Sequence, residues 1–415
     1  MRSRILSCLT ASLLVSAAAV VAGPPTPADS QALGRDVDAV FAEYAKPGSP
    51  GCSLAVVRDG AIVYEKGYGF ASLENGVPLD PKQTVFDIGS TSKQFTAASV
   101  LLLAHDAKLS LDDDIHKYVP ELPEYGTQIT GTPVTLRHLL HHTSGIRDYI
   151  NLMAMGDFAV EDYTTDGDAL TVLARQKKLD FQPGSEHSYS NSGYFLLSFV
   201  VKRVSGKPLR DFAQERIFTP LGMSHTQFLN DHMAVVPHRA TGYGPHPGGG
   251  FGVRHVEARD GKLFYVRGVD NDSELVPLGS DRFQMVGTTG TVVSFPPVAA
   301  GAKRRMQLSP GTAKPLVFQE EQPAALQPGD LAAYAGTYTS AELDTFWVLK
   351  VEDGRLVLHP KRGEVMPLDP AYADAFLGPA GVIRFQRDAG KKVTGFLVGV
   401  GRARDLQFTK GAGPS

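Results

Sequence analysis

A glycine- and proline-rich stretch divides the chain into two parts with different hydrophobic periodicity. Between Gly242 and Gly252 eight of the eleven residues are glycine or proline, which is typical of a boundary. Before this stretch, apolar residues recur at helical spacing from about residue 108 to residue 240, whereas beyond it short strand-like runs follow one another. The sequence therefore predicts an α+β protein in which a largely helical part precedes a part made of strands.

The strand-rich part contains an internal repeat. The blocks at 260–263, 276–278, 281–283 and 292–295 reappear in the same order as the blocks at 353–356, 366–368, 374–376 and 382–385. A chain of 415 residues has room for several domains. We therefore predict two small β-rich units, at 253–310 and 330–410, joined by a segment rich in proline, glutamine and glutamate.

Local patterns in the first part predict helices and one hairpin. Apolar residues at helical spacing indicate an amphipathic helix over Leu33–Tyr44, and similar patterns indicate helices over Thr135–His142 and Gly193–Val204. Two β-rich runs flank Asp59-Gly60, and an Asp-Gly pair between such runs is a strong hairpin signal. These elements belong to one predicted domain, residues 34–243.

The first 23 residues have the pattern of a secretory signal peptide. Arg2 and Arg4 form a positively charged n-region, and Ile5–Val21 forms the apolar h-region. The residues up to Ala22 offer a site for cleavage by a signal peptidase. An apolar run this short is at the lower limit for spanning a bilayer, so we expect cleavage rather than retention as an anchor. The sequence thus predicts a protein that is periplasmic or secreted.

Charge and cysteine content exclude two classes of protein. Lys and Arg number 41 and Asp and Glu 44, so nucleic acid is not an expected partner. The cysteines are Cys8 and Cys52, and Cys8 lies in the predicted signal peptide. A mature chain would keep one thiol and could form no internal disulfide. Cys52 follows an apolar, strand-like pattern and is expected in the core.

Ser90 and Lys93 are spaced like a nucleophile and its base. Positions three apart on a helix share a face, so the Lys93 amine can reach the Ser90 hydroxyl. A serine hydroxyl needs a neighbour that removes its proton, and the positive end of a helix favours the resulting alkoxide. Ser-x-x-Lys also occurs by chance on solvated helices. Here, however, a strand-like run ending at Gly89 precedes it and a strongly apolar helix follows.

Tyr189 and Asn191 form a second candidate element. A phenol close to Ser90 could relay the serine proton to the leaving group, and an amide could orient both Lys93 and a substrate carbonyl. The pattern alone is ambiguous, because Tyr149-Ile150-Asn151 also reads Tyr-x-Asn. Tyr189 could equally be a loop aromatic that packs on the domain.

Together these elements resemble the serine β-lactamase and penicillin-binding-protein superfamily, in its class C-like serine hydrolase branch. The two β-rich units resemble the lipocalin-like domains that follow some of these hydrolases. The segments that carry the resemblance are Ile88-Gly89-Ser90-Thr91-Ser92-Lys93-Gln94-Phe95-Thr96, Val134–Ile146, Phe181-Gln182-Pro183-Gly184 with Tyr189-Ser190-Asn191, and Pro220-Leu221-Gly222-Met223.

The resemblance implies a β-lactamase/transpeptidase-like domain, with an antiparallel sheet and a helical region, and an acyl-enzyme mechanism. Ser90 would attack an amide or ester carbonyl, and Lys93 and Tyr189 would share the proton transfer. Asn191 would bind substrate, and the Ser90 backbone N–H would supply half of an oxyanion hole. The segment around His141 and His142 would be structural. No third ligand accompanies these histidines, so no metal is expected, and the mechanism needs no cofactor.

One element of the family is not found. A third motif, Lys or His followed by a small residue and glycine, should lie on a strand well after Asn191. His246-Pro247-Gly248 is the nearest match but lies in a glycine- and proline-rich run unsuited to a central strand. Thr288-Thr289-Gly290 fits the first β repeat better. We therefore expect the hydrolase domain to be truncated, with a block missing between about Tyr243 and Gly261.

Two functions follow as hypotheses. The first is an exported serine hydrolase acting on D-amino-acid peptides, peptidoglycan stems, β-lactams or small esters. The second is a truncated, non-catalytic protein of the same family that binds cell-envelope material or serves as a scaffold. The expected partners are a small peptide, ester or β-lactam-like substrate, and association with the cell envelope.

Overall fold

The chain forms two compact units. The first comprises residues up to Ile88 together with Met233–Pro245, and the second comprises Gly89–His232 and His246–Ser415. The predicted signal peptide and His246-Pro247-Gly248 lie outside the described residues. The computed structural model describes residues 27–46, 48–156, 158, 164–231, 233–243, 255–259, 262–266, 272–279, 281–288, 290–299, 301–310, 315–321, 324, 326, 328–378 and 381–411.

The first unit contains the predicted hairpin. Strands β1 (Cys52–Arg58) and β2 (Ala61–Tyr68) pair antiparallel. Asp59 and Gly60 between them have φ angles of 51° and 77°, the left-handed backbone that a two-residue hairpin turn requires. The short strands β3 (Phe70–Ser72) and β4 (Val77–Pro78) form a second pair. The hairpin prediction at the Asp-Gly turn is therefore confirmed.

A helix packs on this hairpin through one carboxylate. Helix α1 (Pro27–Val40) begins and ends earlier than the predicted span Leu33–Tyr44, and a 3-10 turn over Ala42–Ala45 follows it. Asp38 of α1 accepts hydrogen bonds from Lys66 Nζ at 2.7 Å and from Tyr68 OH at 2.8 Å. The same carboxylate thus joins the helix to the second strand of the hairpin.

The first half of the second unit is helical, as predicted. Helices α2 and α6 pack on each other, and their apolar residues form part of one large core. None of the helices in the described ranges is both long and apolar enough to cross a membrane. The α-helices are α2 (Lys93–His105), α3 (Leu136–Leu140), α4 (Tyr149–Met155), α5 (Asp166–Ala174), α6 (Asn191–Ser205) and α7 (Leu209–Ala213). Shorter 3-10 or π turns occupy Gly89–Ser92, Ile115–Lys117, Tyr125–Thr130 and Gln214–Phe218.

Capping residues explain where two of these helices begin and end. Ser190 caps α6 by accepting a hydrogen bond from the Ser192 N–H, and Gly206 ends the helix in a left-handed conformation. Thr135 and His138 form a capping box at the start of α3. Helix α3 ends at Leu140, before the predicted end at His142, because His142 has a φ of 56° and leaves the helical path.

The second half of this unit contains two antiparallel β structures. The first is a seven-stranded sheet in the order β11-β10-β9-β8-β7-β6-β5, in which neighbours in sequence are neighbours in space. Its strands are β5 (His255–Arg259), β6 (Lys262–Val266), β7 (Asp272–Gly279), β8 (Arg282–Met285), β9 (Thr291–Ser294), β10 (Arg305–Pro310) and β11 (Leu316–Gln319).

The second β structure is a closed eight-stranded barrel, preceded by a 3-10 turn over Pro328–Ala333. Strand β12 pairs with both β13 and β19, which closes the barrel. Its interior is filled by aromatic rings, including Trp347, Phe396 and Phe408, whose neighbouring centroids lie 4.4 to 6.0 Å apart. The strands are β12 (Gly336–Ser340), β13 (Thr345–Glu352), β14 (Arg355–Pro360), β15 (Met366–Tyr372), β16 (Ala375–Gly378), β17 (Gly381–Arg387), β18 (Val393–Val400) and β19 (Ala403–Gly411).

A buried ion network joins the barrel to the helical part. Arg147, whose side chain is 1% exposed, donates to Asp180 Oδ1 at 3.3 Å and to Glu342 Oε1 at 3.1 Å. Gln176 Oε1 accepts from the same guanidinium at 2.9 Å. Because Glu342 lies between β12 and β13, this network fixes the barrel against the residues that surround α4 and α5.

Candidate active site

Ser90 and Lys93 lie where the chain enters α2. Ser90 is in the 3-10 turn that precedes the helix, and Lys93 is the first residue of the helix. Lys93 Nζ donates a hydrogen bond of 3.0 Å to Ser90 Oγ. The structure therefore brings the two predicted side chains together at the spacing that the sequence indicated. The Ser90 residue is exposed, so a substrate can reach its hydroxyl.

Tyr189 and Asn191 complete the group from the start of α6. The Tyr189 hydroxyl lies 2.5 Å from Ser90 Oγ, and Asn191 Oδ1 accepts from Lys93 Nζ at 3.1 Å. All four predicted residues thus form one continuous hydrogen-bonded group. The alternative Tyr-x-Asn sequence makes different contacts: the Tyr149 ring packs against Phe195 at 5.0 Å between centroids, and Asn151 Oδ1 accepts from the Arg402 N–H.

Asp148 is a member of this group that the sequence reasoning missed. Its Oδ2 accepts from both the backbone N–H of Asn191 at 2.8 Å and the side-chain amide at 2.9 Å. The carboxylate is fully buried and also caps α4 by accepting from the Ile150 N–H. An aspartate just before a helix is a usual cap signal, and this signal could have found the residue but not its second contact.

Asp148 is expected to stabilise the fold as well as orient Asn191. Replacing it by alanine leaves two partly buried donors of Asn191 without this acceptor, which costs about 1–3 kcal/mol, and removes a helix cap worth about 1 kcal/mol. We expect Asp148→Ala to lower the free energy of unfolding measured with urea, and Asp148→Asn, which keeps an acceptor oxygen, to lower it less. An unchanged urea midpoint for Asp148→Ala would contradict this interpretation.

His142 packs against the ring of Tyr189. Its ring lies 4.5 Å from the Tyr189 ring, and its Nδ1 accepts from the Ser190 N–H at 3.2 Å. Burial is the main reason why the pKa of the imidazole lies below its usual value, and the positive charges of His187 and Lys93 act in the same direction. The ring is therefore neutral near pH 7. Within the described ranges, no group of three His, Cys, Asp or Glu side chains could hold a metal ion.

The charges around Tyr189 favour its ionised form. Burial raises the pKa of the phenol, but hydrogen bonds with Lys93 and Ser90 and the positive charges of Lys93 and Arg402 outweigh burial. The net result is a pKa below the usual value for tyrosine. A tyrosine of this kind can take a proton from a hydroxyl that it contacts.

Arg402 also lies close to Tyr189, but the sequence did not predict it as a site residue because it belongs to the predicted second β unit. It occupies the turn between β18 and β19, and its guanidinium carbon lies 5.0 Å from the centroid of the Tyr189 ring. Its Nε lies 3.7 Å from Asp148 Oδ2. Nothing local in the sequence marks this arginine, since its position depends on how the barrel packs.

Comparison with known proteins places the chain in a family and identifies several similar proteins. The family model described as Beta-lactamase matches residues 37–346. A D-aminopeptidase of Gluconobacter oxydans (strain 621H) is 33% identical over 205 residues, which cover 49% of this chain and 37% of that protein. A putative D-alanyl-D-alanine carboxypeptidase of Escherichia coli (strain K12) is 32% identical over 206 residues, covering 47% and 46%. The chain therefore spans less than half the length of either relative.

One of the solved structures that resemble this chain is an amidase. The D-amino acid amidase from Ochrobactrum anthropi SV3 is 28% identical, with a TM-score of 0.39 over 46% of this chain and 50% of that one.

The fold is of the β-lactamase/transpeptidase-like α+β class with a C-terminal β-rich region, as predicted. Two of the expectations stay predictions. These are the domain boundaries at 243, 253, 310, 330 and 410, and the absence of a block of the hydrolase domain between about Tyr243 and Gly261. Since the family match covers well over half of its length, the chain belongs to the Beta-lactamase family.

Proposed function

We propose that the protein is an exported serine hydrolase that forms an acyl-enzyme on an amide or ester substrate. One observation carries the proposal: Ser90 Oγ lies within hydrogen-bonding distance of both Tyr189 OH, at 2.5 Å, and Lys93 Nζ, at 3.0 Å. A hydroxyl in contact with two proton-transfer groups is the arrangement that activates a serine nucleophile.

Acylation would begin with proton transfer from Ser90 to the Tyr189 phenolate. As the proton leaves, Ser90 Oγ forms a bond to the carbonyl carbon, and the carbonyl π electrons move to the oxygen. The Ser90 backbone N–H is the proposed donor to this oxyanion. Tyr189 then returns its proton to the leaving nitrogen or oxygen as the bond to carbon breaks, and an ester of Ser90 remains.

Deacylation would use the same groups with water as the nucleophile. Tyr189 takes a proton from the water as the water oxygen attacks the ester carbon. Tyr189 then returns that proton to Ser90 Oγ as the ester bond breaks. Lys93 donates hydrogen bonds to Ser90 and Asn191 throughout, so it holds both side chains in place. Asp148 fixes Asn191 from the other side, which leaves the Asn191 amide pointing in a single direction.

The proposed substrates are small molecules with a D-amino-acid amide or peptide bond. The names of the relatives, D-aminopeptidase and putative D-alanyl-D-alanine carboxypeptidase, support this class. Peptidoglycan stems, β-lactams and small esters present the same kind of carbonyl and belong to the proposal. Export, to the periplasm or the medium, rests on the signal-like pattern of the first 23 residues.

Covalent labelling tests the proposal. We expect a fluorophosphonate or a fluorescent β-lactam to add one mass equivalent to the parent chain and none to Ser90→Ala. Ser92→Ala is the matched control, since Ser92 is a hydroxyl in the same turn that makes no capping hydrogen bond, and it should label like the parent. Equal labelling of Ser90→Ala and the parent would show that Ser90 is not the nucleophile.

The alternative of a non-catalytic envelope-binding protein gives a different outcome. It is motivated by the third motif, which the sequence does not reveal, rather than by a contact in the described residues. Binding of peptidoglycan fragments without labelling or turnover by the parent would favour it. Turnover that is lost in Lys93→Ala would exclude it, because a scaffold has no need of that amine.

A further inference from the structure

The turn between β18 and β19 is held in the site by backbone atoms. The Arg402 N–H donates to Asn151 Oδ1 at 3.1 Å, and the Arg402 carbonyl accepts from the Asp148 N–H at 3.0 Å. Gly401 has a φ of 53°, and a Cβ added there would lie 3.0 Å from Asn151 Nδ2. The turn is therefore positioned independently of the Arg402 side chain, so that a change of side chain leaves its attachment in place.

The Arg402 side chain extends from this turn toward Tyr189. Its guanidinium carbon lies 5.0 Å from the centroid of the phenol ring, and Lys93 Nζ lies 4.9 Å from the same centroid. Two cations thus flank one phenol. Arg402 also lies 3.7 Å from the buried Asp148 carboxylate, and its side chain is 40% exposed.

The charges near Tyr189 do not cancel. Two cations face this phenol, whereas the nearby carboxylate of Asp148 accepts two hydrogen bonds from Asn191 besides its 3.7 Å contact with Arg402 Nε. His142 contributes no charge near pH 7, because burial lowers the pKa of its ring. The charged and titratable groups that face Tyr189 from the surrounding elements are Ser90, Lys93, His142, Tyr194 and Arg402, with His187 and Asp148 behind them.

We propose that Arg402 of the barrel is a positioning residue that stabilises negative charge on the Tyr189 oxygen and so makes the barrel part of the active site. The inference rests on the proposed function, in which Tyr189 takes the proton of Ser90. An arginine is suited to this task because it stays charged at every working pH and stacks over an aromatic ring. Nothing is transferred to or from Arg402, whose effect is purely electrostatic.

The pH dependence of kcat/KM tests the proposal. A base that must be ionised makes kcat/KM rise with pH through its pKa, and loss of a nearby cation moves that rise to higher pH. We expect Arg402→Gln to lower kcat/KM about tenfold on the acidic side and less at high pH. Arg402→Lys should keep the parent profile. The matched control is Arg404→Gln, which removes an arginine of the same hairpin that stacks on Phe181 instead.

A second measurement keeps the inference separate from the proposed function. The ultraviolet absorbance of phenolate, titrated in the parent and in Tyr189→Phe, gives the ionisation of Tyr189 by difference. The same difference in the Arg402→Gln background should show ionisation at higher pH, whether or not the protein turns over a substrate. Unchanged titration and pH profile in Arg402→Gln would overturn the inference and leave the proposed function intact. A parent that neither labels nor hydrolyses would overturn the proposed function, and the titration would still decide the role of Arg402.

Discussion

Replacing Tyr189 by phenylalanine is expected to lower kcat/KM by about 10²- to 10⁴-fold, the range for loss of a positioned acid-base group. The change removes one oxygen, which lies 2.5 Å from Ser90 Oγ, and keeps the ring that packs against His142. The remaining base would be Lys93, which also contacts Ser90. Hydrolysis of D-alanine p-nitroanilide, or of a nitrophenyl ester, measures the loss.

Tyr149→Phe is the matched control for this prediction. Tyr149 belongs to the other Tyr-x-Asn sequence, and its ring packs against Phe195. We expect this variant to hydrolyse the substrate at nearly the parent rate. Unfolding curves of both variants show whether either has lost stability. If the Tyr189 variant retained the parent kcat/KM, Tyr189 would have no part in proton transfer.

Replacing Arg147 by methionine is expected to reduce the free energy of unfolding by about 3–5 kcal/mol. The change leaves two carboxylates, those of Asp180 and Glu342, buried without the cation that they share, at 4% and 9% exposure. Burial already raises the pKa of Asp180, with Arg404 and Arg147 offsetting it only in part. Urea unfolding followed by circular dichroism measures the effect.

Arg137→Met is the control for the cost of losing an ion pair as such. Arg137 pairs with Asp112 at 2.8 Å, but both side chains are about half exposed or more, so the expected loss of stability is much smaller than for Arg147→Met. Arg147→Lys keeps a charge in the buried network and should lose less than Arg147→Met. Equal losses for Arg137→Met and Arg147→Met would mean that burial adds nothing to the network.

Local chemistry explains which parts of the fold could be predicted. The hairpin follows from two residues, Asp59 and Gly60, that tolerate a left-handed backbone. The repeated blocks correctly indicated two strand-rich segments, but not that one becomes an open sheet and the other a barrel. Closure depends on β12 pairing with β19, a contact between distant segments that no short pattern records.

Some residues of the candidate site could be predicted from the sequence and others could not, for the same reason. Ser90 and Lys93 could be paired from sequence because a helical turn alone brings them together. Tyr189 and Tyr149 could not be distinguished by their own pattern, since the choice depends on which of them the fold brings to Ser90. Asp148 and Arg402 act through contacts with residues far away in the chain, so sequence reasoning did not find them.

The attachment of the β18–β19 turn to Asp148 has a consequence for the order in which a ribosome completes this protein. Ser90, Lys93 and Tyr189 leave the exit tunnel long before Arg402, whose carbonyl accepts from the Asp148 amide. Until that late segment has emerged and the barrel has closed, the start of α4 lacks one of its anchors. In a nascent chain Ser90 therefore lies in an unfinished setting, which is completed only after β19 has been synthesised.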